Sequence, residues 1–131
     1  MSEQTTRSPL LQVENLKMYF PTGRKEDGKP ICVKAVDGIS FQVCPGETFG
    51  LVGESGCGKT TAGKAILRVL TPTEGRVIYD GQDIAKLPLT KLKPIRRQLQ
   101  MIFQDPYGSL APRQSAYSIL KEAIQCDRKQ R

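Results

Sequence analysis

The stretch Gly53-Glu54-Ser55-Gly56-Cys57-Gly58-Lys59-Thr60-Thr61 decides how the rest of this 131-residue chain is read. Through Thr60 it fits G-x-x-x-x-G-K-[ST], a spacing with a physical purpose. Glycines without a Cβ let the backbone curl until successive N–H groups converge on one anion. A helix beginning near Lys59 adds the positive end of its dipole at the same place. Lys59 is then expected to reach the β- and γ-phosphates of a nucleoside triphosphate, and Thr60 to hold Mg²⁺ through its hydroxyl. Thr61 is placed to donate toward the α-phosphate. The candidate binding set is Gly53, Glu54, Ser55, Gly56, Cys57, Gly58, Lys59, Thr60 and Thr61. Within it Cys57 has two readings: a small side chain filling a tight loop, or a thiol made reactive by the helix N-terminus.

The flanks agree with that reading. Thr48 to Val52 is a short apolar run, the pattern of a strand buried on both faces. Lys59 to Leu70 is helical in period, with Ala62, Ile66, Leu67 and Leu70 on one side. Upstream, residues 1–9 form a loose polar leader and Leu10 to Phe20 a strand. Pro21 to Pro30 is expected as an exposed loop. The β-rich runs Ile31 to Val36 and Ile39 to Val43 meet at Asp37-Gly38, which predicts a hairpin. Downstream, Thr71 to Gly75 stops the helix, Arg76 to Tyr79 forms a strand, and Asp80-Gly81 a turn. Ile84 to Pro94 carries mixed helix and loop signals. Leu99 to Gln104 reads as a strand, Asp105 to Arg113 as a loop and Ala116 to Gln125 as a helix. Mixed strands and helices around one strand–loop–helix unit give an α/β domain.

Composition narrows the class. Hydrophobic residues at 38% and charged residues at 25% suit a globular domain. Runs such as Ala65 to Leu70 are too short to cross a bilayer, and no secretory leader pattern is visible. A cytosolic protein follows. The net charge of +7 favours anionic partners, most densely at Lys86, Lys91, Lys93, Arg96 and Arg97. That cluster lacks interleaved aromatics, which argues against nucleic acid. Cys32, Cys44, Cys57 and Cys126 form no C-x-x-C pair and histidine is absent, so no zinc site is expected.

Longer words around the loop carry a resemblance. Leu11-Gln12-Val13-Glu14-Asn15-Leu16-Lys17, Ala35-Val36-Asp37-Gly38-Ile39-Ser40-Phe41 and the whole of Gly46 to Thr61 resemble ABC-transporter ATP-binding cassettes, the last as their Walker A region. Pro72-Thr73-Glu74-Gly75 and Asp80-Gly81-Gln82-Asp83-Ile84 are similar to the turn and strand that follow there. Met101-Ile102-Phe103-Gln104-Asp105-Pro106-Tyr107-Gly108-Ser109-Leu110-Ala111-Pro112-Arg113 resembles the Q-loop region of the dipeptide and oligopeptide importer branch, with Ala111 where Asn is usual. Tyr19-Phe20-Pro21 and the insertion Thr22 to Lys29 are also similar to that branch.

The resemblance implies a P-loop NTPase core with an antiparallel β subdomain, in which residues 10–131 form the N-terminal part of the cassette. It implies ATP and Mg²⁺ as cofactors, Phe20 stacked on adenine (Tyr19 as the alternative), and Gln104 in contact with Mg²⁺ and the attacking water. The implied function is the ATP-binding component of a peptide importer, peripheral on the inner face of the cell membrane. Its implied partners are transmembrane permease subunits and a second ATP-binding subunit. The signature sequence, the Walker B aspartate, the catalytic glutamate and the switch histidine are absent from these residues, so binding without turnover is expected. Two other readings remain at this stage: a P-loop kinase or other ATPase outside transport, and a truncated piece without nucleotide function.

Overall fold

A computed structural model describes residues 8–105, 108, 110 and 112–128, with only the backbone for 126–128. Residues 1–7 of the expected leader lie outside the described residues, as do Pro106, Tyr107, Ser109 and Ala111 of the Q-loop resemblance. The chain divides into two units, Met1–Leu99 and Gln100–Arg131.

The first unit is built on a four-stranded antiparallel sheet. Strands β1 (Leu11–Glu26) and β2 (Lys29–Val43) form a long hairpin; β3 (Glu74–Tyr79) pairs with the other edge of β1 and hairpins onto β4 (Gln82–Asp83). The order is β2-β1-β3-β4. Helix α1 (Lys59–Ile66) follows the glycine loop and α2 (Leu89–Arg96) follows β4. Val13, Leu16, Val77, Ala65, Ile66, Ile84 and Leu92 make the main core, and Met18, Val36 and Ala62 a smaller one. Burying a residue such as Leu16 completely contributes about 1.5–3 kcal/mol.

A bulge sets that core. Val13 and Leu16 are an odd number of residues apart, so a regular strand would point them to opposite faces. The register of β1 slips between them, and Asn15 takes up the extra residue at φ 46°. Gly75 passes beneath the bulge so closely that a Cβ there would lie 2.5 Å from the Asn15 carbonyl oxygen.

Several expected elements differ. β1 continues through Pro21 to Glu26, and the turn of the hairpin is Asp27-Gly28, so most of the expected loop is strand. Both turn residues have positive φ, the geometry that matches strand twist in two-residue hairpins. Asp37-Gly38 is no hairpin: β2 runs straight through, with Gly38 absorbing a slip against Leu16 and Lys17. The run Thr48 to Val52 pairs with no strand among the described residues and is exposed, Val52 at 92%. An apolar run becomes a ladder only where neighbouring strands offer partners, and here the flanking segments are turn and loop; Phe49 instead stacks on Phe41 of β2, centroids 4.6 Å apart. Leu99 to Gln104 is likewise unpaired.

Helix α1 stops at Ile66, short of the expected Leu70, because Arg68 adopts φ 56°. Its guanidinium is buried and donates to the carbonyls of Ile84 (2.9 Å) and Leu87 (3.1 Å) and to the Thr71 hydroxyl (2.8 Å). Arg96 of α2 donates in turn to the Arg68 carbonyl at 2.7 Å. Burial, and then the charge of Arg96, hold the Arg68 pKa below its ordinary value. Arg68 thus ties the end of α1 to the approach to α2.

The second unit contains α3 (Ala116–Arg128), as expected from the apolar period of Ala116 to Gln125. Ser115 caps it, its hydroxyl accepting the Ser118 N–H at 3.3 Å. No helix among the described residues is long and apolar enough to cross a membrane.

Candidate functional site

The glycine loop ends on the N-terminus of α1, which no side chain among the described residues caps. Gly58 is the cap residue, in the left-handed conformation, with no side-chain cap and no acidic residue in the first turn. The first N–H to reach back into the helix is that of Ala62, to the Gly58 carbonyl at 2.8 Å. The N–H groups of Lys59, Thr60 and Thr61 precede it and have no acceptor within the helix. Three donors and the helix dipole therefore face the same space, an arrangement suited to an anion.

Glycine is required at Gly58, and Gly53 has a close neighbour of its own. Gly58 has φ +93°, and a Cβ on it would lie 2.1 Å from the carbonyl oxygen of Ala35 in β2. A Cβ on Gly53 would lie 2.4 Å from the Cys57 sulfur. The second contact sets the Cys57 side chain against Gly53. Its thiol is also exposed and lies 3.3 Å from the Lys59 ammonium.

Lys59 folds back over the loop. Its Nζ donates to the Gly53 carbonyl at 2.6 Å and to the Glu54 carbonyl. These bonds hold the ammonium over the concave side of the loop, where a phosphate chain would meet it. Two cavities flank this point. The larger, of about 370 Å³, lies between Val33, Lys34 and Ala35 of β2 and residues 56–61, with Thr60 and Thr61 in its wall. The smaller, of about 230 Å³, is lined by Val36, Asp37, Leu51, Val52 and Ala62 and shares Gly58 and Lys59. The larger is lined by the residues that carry the three helix donors, Lys59 among them, an arrangement suited to an anion.

Phe20 is exposed on β1, directly opposite Val33, which lines the larger cavity. It follows Met18 by two residues and so shares the face that packs on α1. Tyr19 is turned the other way, its hydroxyl donating to the Asp37 carboxylate. Gln104 belongs to the second unit and is exposed there. The structure thus gathers Gly56 to Thr61 around one cavity, leaves Gly53, Glu54 and Ser55 out of its wall, and sets Phe20 one strand away. Sequence reading missed the β2 shelf of Val33, Lys34 and Ala35, because a strand residue that meets a loop only through its backbone has no side-chain signature.

Comparison with known proteins places this geometry. The sequence pattern described as ABC transporter matches residues 36–130. The chain is 50% identical over 119 residues to the putative oligopeptide transport ATP-binding protein YkfD of Bacillus subtilis (strain 168), covering 91% of this chain and 35% of that protein. It is 49% identical over 115 residues to the oligopeptide transport ATP-binding protein AppF of the same organism, covering 86% of this chain and 35% of that one. The chain therefore spans about a third of the length of these relatives. Among solved structures, the ADP conformation of MJ1267, an ATP-binding cassette of an ABC transporter, matches with TM-score 0.54 and 31% identity over 67% of this chain and 31% of that one. The dimeric cassette MJ0796, bound to ADP and Pi, shares the fold with TM-score 0.59 at 21% identity, over 88% of this chain and 55% of that one. The loop, the helix it opens and the antiparallel sheet beside it are parts of an ATP-binding cassette, and the chain belongs to the ABC transporter family.

Proposed function

We propose that this chain is the nucleotide-binding part of the ATP-binding subunit of a peptide importer, of the dipeptide and oligopeptide branch. The observation that carries the reading is the uncapped N-terminus of α1, with Gly58 in the left-handed conformation and the Lys59 ammonium held over the same loop. The names of the relatives, which are oligopeptide transport ATP-binding proteins, support the substrate class.

In this reading the N–H groups at the start of α1 bind the phosphates and Lys59 neutralises the β- and γ-phosphates. Thr60 holds Mg²⁺ through its hydroxyl, Thr61 donates to the α-phosphate, and Phe20 stacks on the adenine. Gln104 contacts the metal and the attacking water. When bound, Mg·ATP supplies the phosphoryl-transfer chemistry that drives transport. The partners are transmembrane permease subunits and a second ATP-binding subunit, with the chain at the inner face of the membrane.

Calorimetric titration of Mg·ATP into the wild type and Lys59→Ala tests the nucleotide site. Loss of a charge-assisted contact costs about 1.5–3 kcal/mol, so the mutant is expected to bind on the order of 10- to 150-fold more weakly. Equal affinities would refute the assignment. For the substrate, the same substitution in the chromosomal gene should abolish growth on oligopeptides as the amino-acid source and spare growth on free amino acids.

A further inference from the structure

We infer that Tyr19 and Asp37 are positioning residues of the nucleotide site: their side-chain hydrogen bond fixes the slipped step of β2 that lies beside Phe20. The inference rests on the reading of Phe20 as the adenine platform.

The argument starts from the register. Met18 pairs with Val36, but the next residue, Tyr19, pairs with Lys34, so Ala35 is an extra residue without a partner across the ladder. That extra residue is the one whose carbonyl meets Gly58 of the loop. On the strand opposite, the residue after Tyr19 is Phe20, and its partner Val33 lines the larger cavity. The base platform and its β2 partner therefore sit next to one irregular step. An irregular step is a weak point, because a slip of one residue turns every following side chain to the other face of the sheet. Val33 would then turn away from the face on which it now sits opposite Phe20.

Tyr19 pins this step from both ends. Its backbone N–H donates to the Thr73 hydroxyl at 2.9 Å, which anchors β1 to the chain entering β3. Its hydroxyl reaches across to the carboxylate of Asp37, on the far side of Val36 from the slip. Lys34 completes the arrangement, its ammonium 3.2 Å from the other Asp37 oxygen and 5.4 Å from the centre of the Tyr19 ring. The bond from a phenol to a carboxylate is directional and spans the slipped residue, so an alternative register breaks it. The Tyr19 hydroxyl is the largest cause holding the Asp37 carboxyl below its ordinary pKa, with Lys34 next.

The test compares wild type, Tyr19→Phe, Phe20→Ala and the double variant, titrated with Mg·ATP and with inorganic triphosphate. Tyr19→Phe keeps the ring and removes only the hydroxyl. It is expected to weaken ATP binding about two- to tenfold, the range for one lost hydrogen bond, and to leave triphosphate binding unchanged. On the Phe20→Ala background it should cause no further loss, because the platform it positions is gone. Asp37→Asn keeps an oxygen acceptor and should bind ATP as the wild type does, whereas Asp37→Ala should match Tyr19→Phe. If Phe20→Ala weakens ATP binding and Tyr19→Phe does not, the positioning role is wrong and the platform stands. Should Phe20→Ala leave ATP binding intact, the platform reading fails and takes this inference with it. Equal losses from Tyr19→Phe with both ligands, or in both backgrounds, would mark a general folding effect and overturn the proposal.

Discussion

Gly58 and Ala35 meet backbone to backbone, with room for a hydrogen but not for a methyl group between them: a Cβ on Gly58 would lie 2.1 Å from the Ala35 oxygen. Gly58 also holds φ +93°, so Gly58→Ala meets two penalties of the same sign. The backbone conformation alone costs about 1–3 kcal/mol for a residue with a side chain, and the overlap must push the loop off β2 besides. We expect Gly58→Ala to lose ATP binding and to unfold at lower denaturant. Gly56 is the control. Its φ is +82° but nothing lies within 4 Å of its missing Cβ, so Gly56→Ala should carry the backbone cost without the displacement. Chemical denaturation of the two variants, side by side, separates the effects; equal losses would show that the contact with Ala35 is unimportant.

Metal dependence isolates Thr60. Thr60 is in the cavity wall, and Thr60→Val preserves shape while removing the oxygen. If Thr60 ligates Mg²⁺, the variant should bind ATP in EDTA as well as the wild type does. In Mg²⁺ it should gain less, by about 0.5–1.5 kcal/mol for the lost polar contact. Titrations with and without the metal read this directly. A loss that is the same in EDTA would place the hydroxyl on a phosphate instead.

The cradle was legible because its chemistry is local: Gly53 to Thr60 carries the turn, the charge and the helix start within one run of residues. The Asp80-Gly81 turn and α3 could be read for the same reason, since turn dipeptides and apolar period act over a few residues. The apolar run Thr48 to Val52 shows the limit. Its composition says strand, but a strand exists only with neighbours, and composition does not supply them. Asp37-Gly38 failed differently. The pair looks like a hairpin turn, yet Gly38 at φ +82° serves a bulge in a continuous strand, a use of glycine that local sequence does not distinguish from a turn. The shelf at Ala35 left no trace at all, because it acts through a carbonyl that every residue has.

Arg68 is a buried cation whose guanidinium donates to three neutral acceptors among the described residues. Removing the guanidinium leaves the Ile84 and Leu87 carbonyls short of a donor, at about 1–3 kcal/mol for each one left unsatisfied. Arg68→Ala should therefore destabilise the chain strongly. Arg68→Gly loses the same bonds but relieves the left-handed backbone at φ 56°, so it should be less damaging by about 1 kcal/mol. Thermal unfolding of both variants decides the order. An Ala variant as stable as the wild type would mean that water replaces the guanidinium without penalty.

The Tyr19–Asp37 pair sets a pH window for stability. The Tyr19 hydroxyl, then Lys34, hold the Asp37 carboxyl below its ordinary value of 3.8. The unfolded chain therefore takes up that proton first, and the stabilisation present above about pH 4 is lost as pH falls through the lowered value. Tyr19 moves the other way. Its bond to Asp37, followed by desolvation, raises it above 10.0, with Lys34 and Lys17 opposing. Its contribution is present below the ordinary phenol value and disappears as pH rises through the raised one. Lys17 is itself held by Glu74 at 2.8 Å, a partner whose titration is common to wild type and mutant. The difference in melting temperature between wild type and Tyr19→Phe should accordingly be flat between about pH 5 and 9 and shrink beyond both limits. Melting curves across that range provide the check. A difference that changes near pH 7 would assign the effect to a group other than these two.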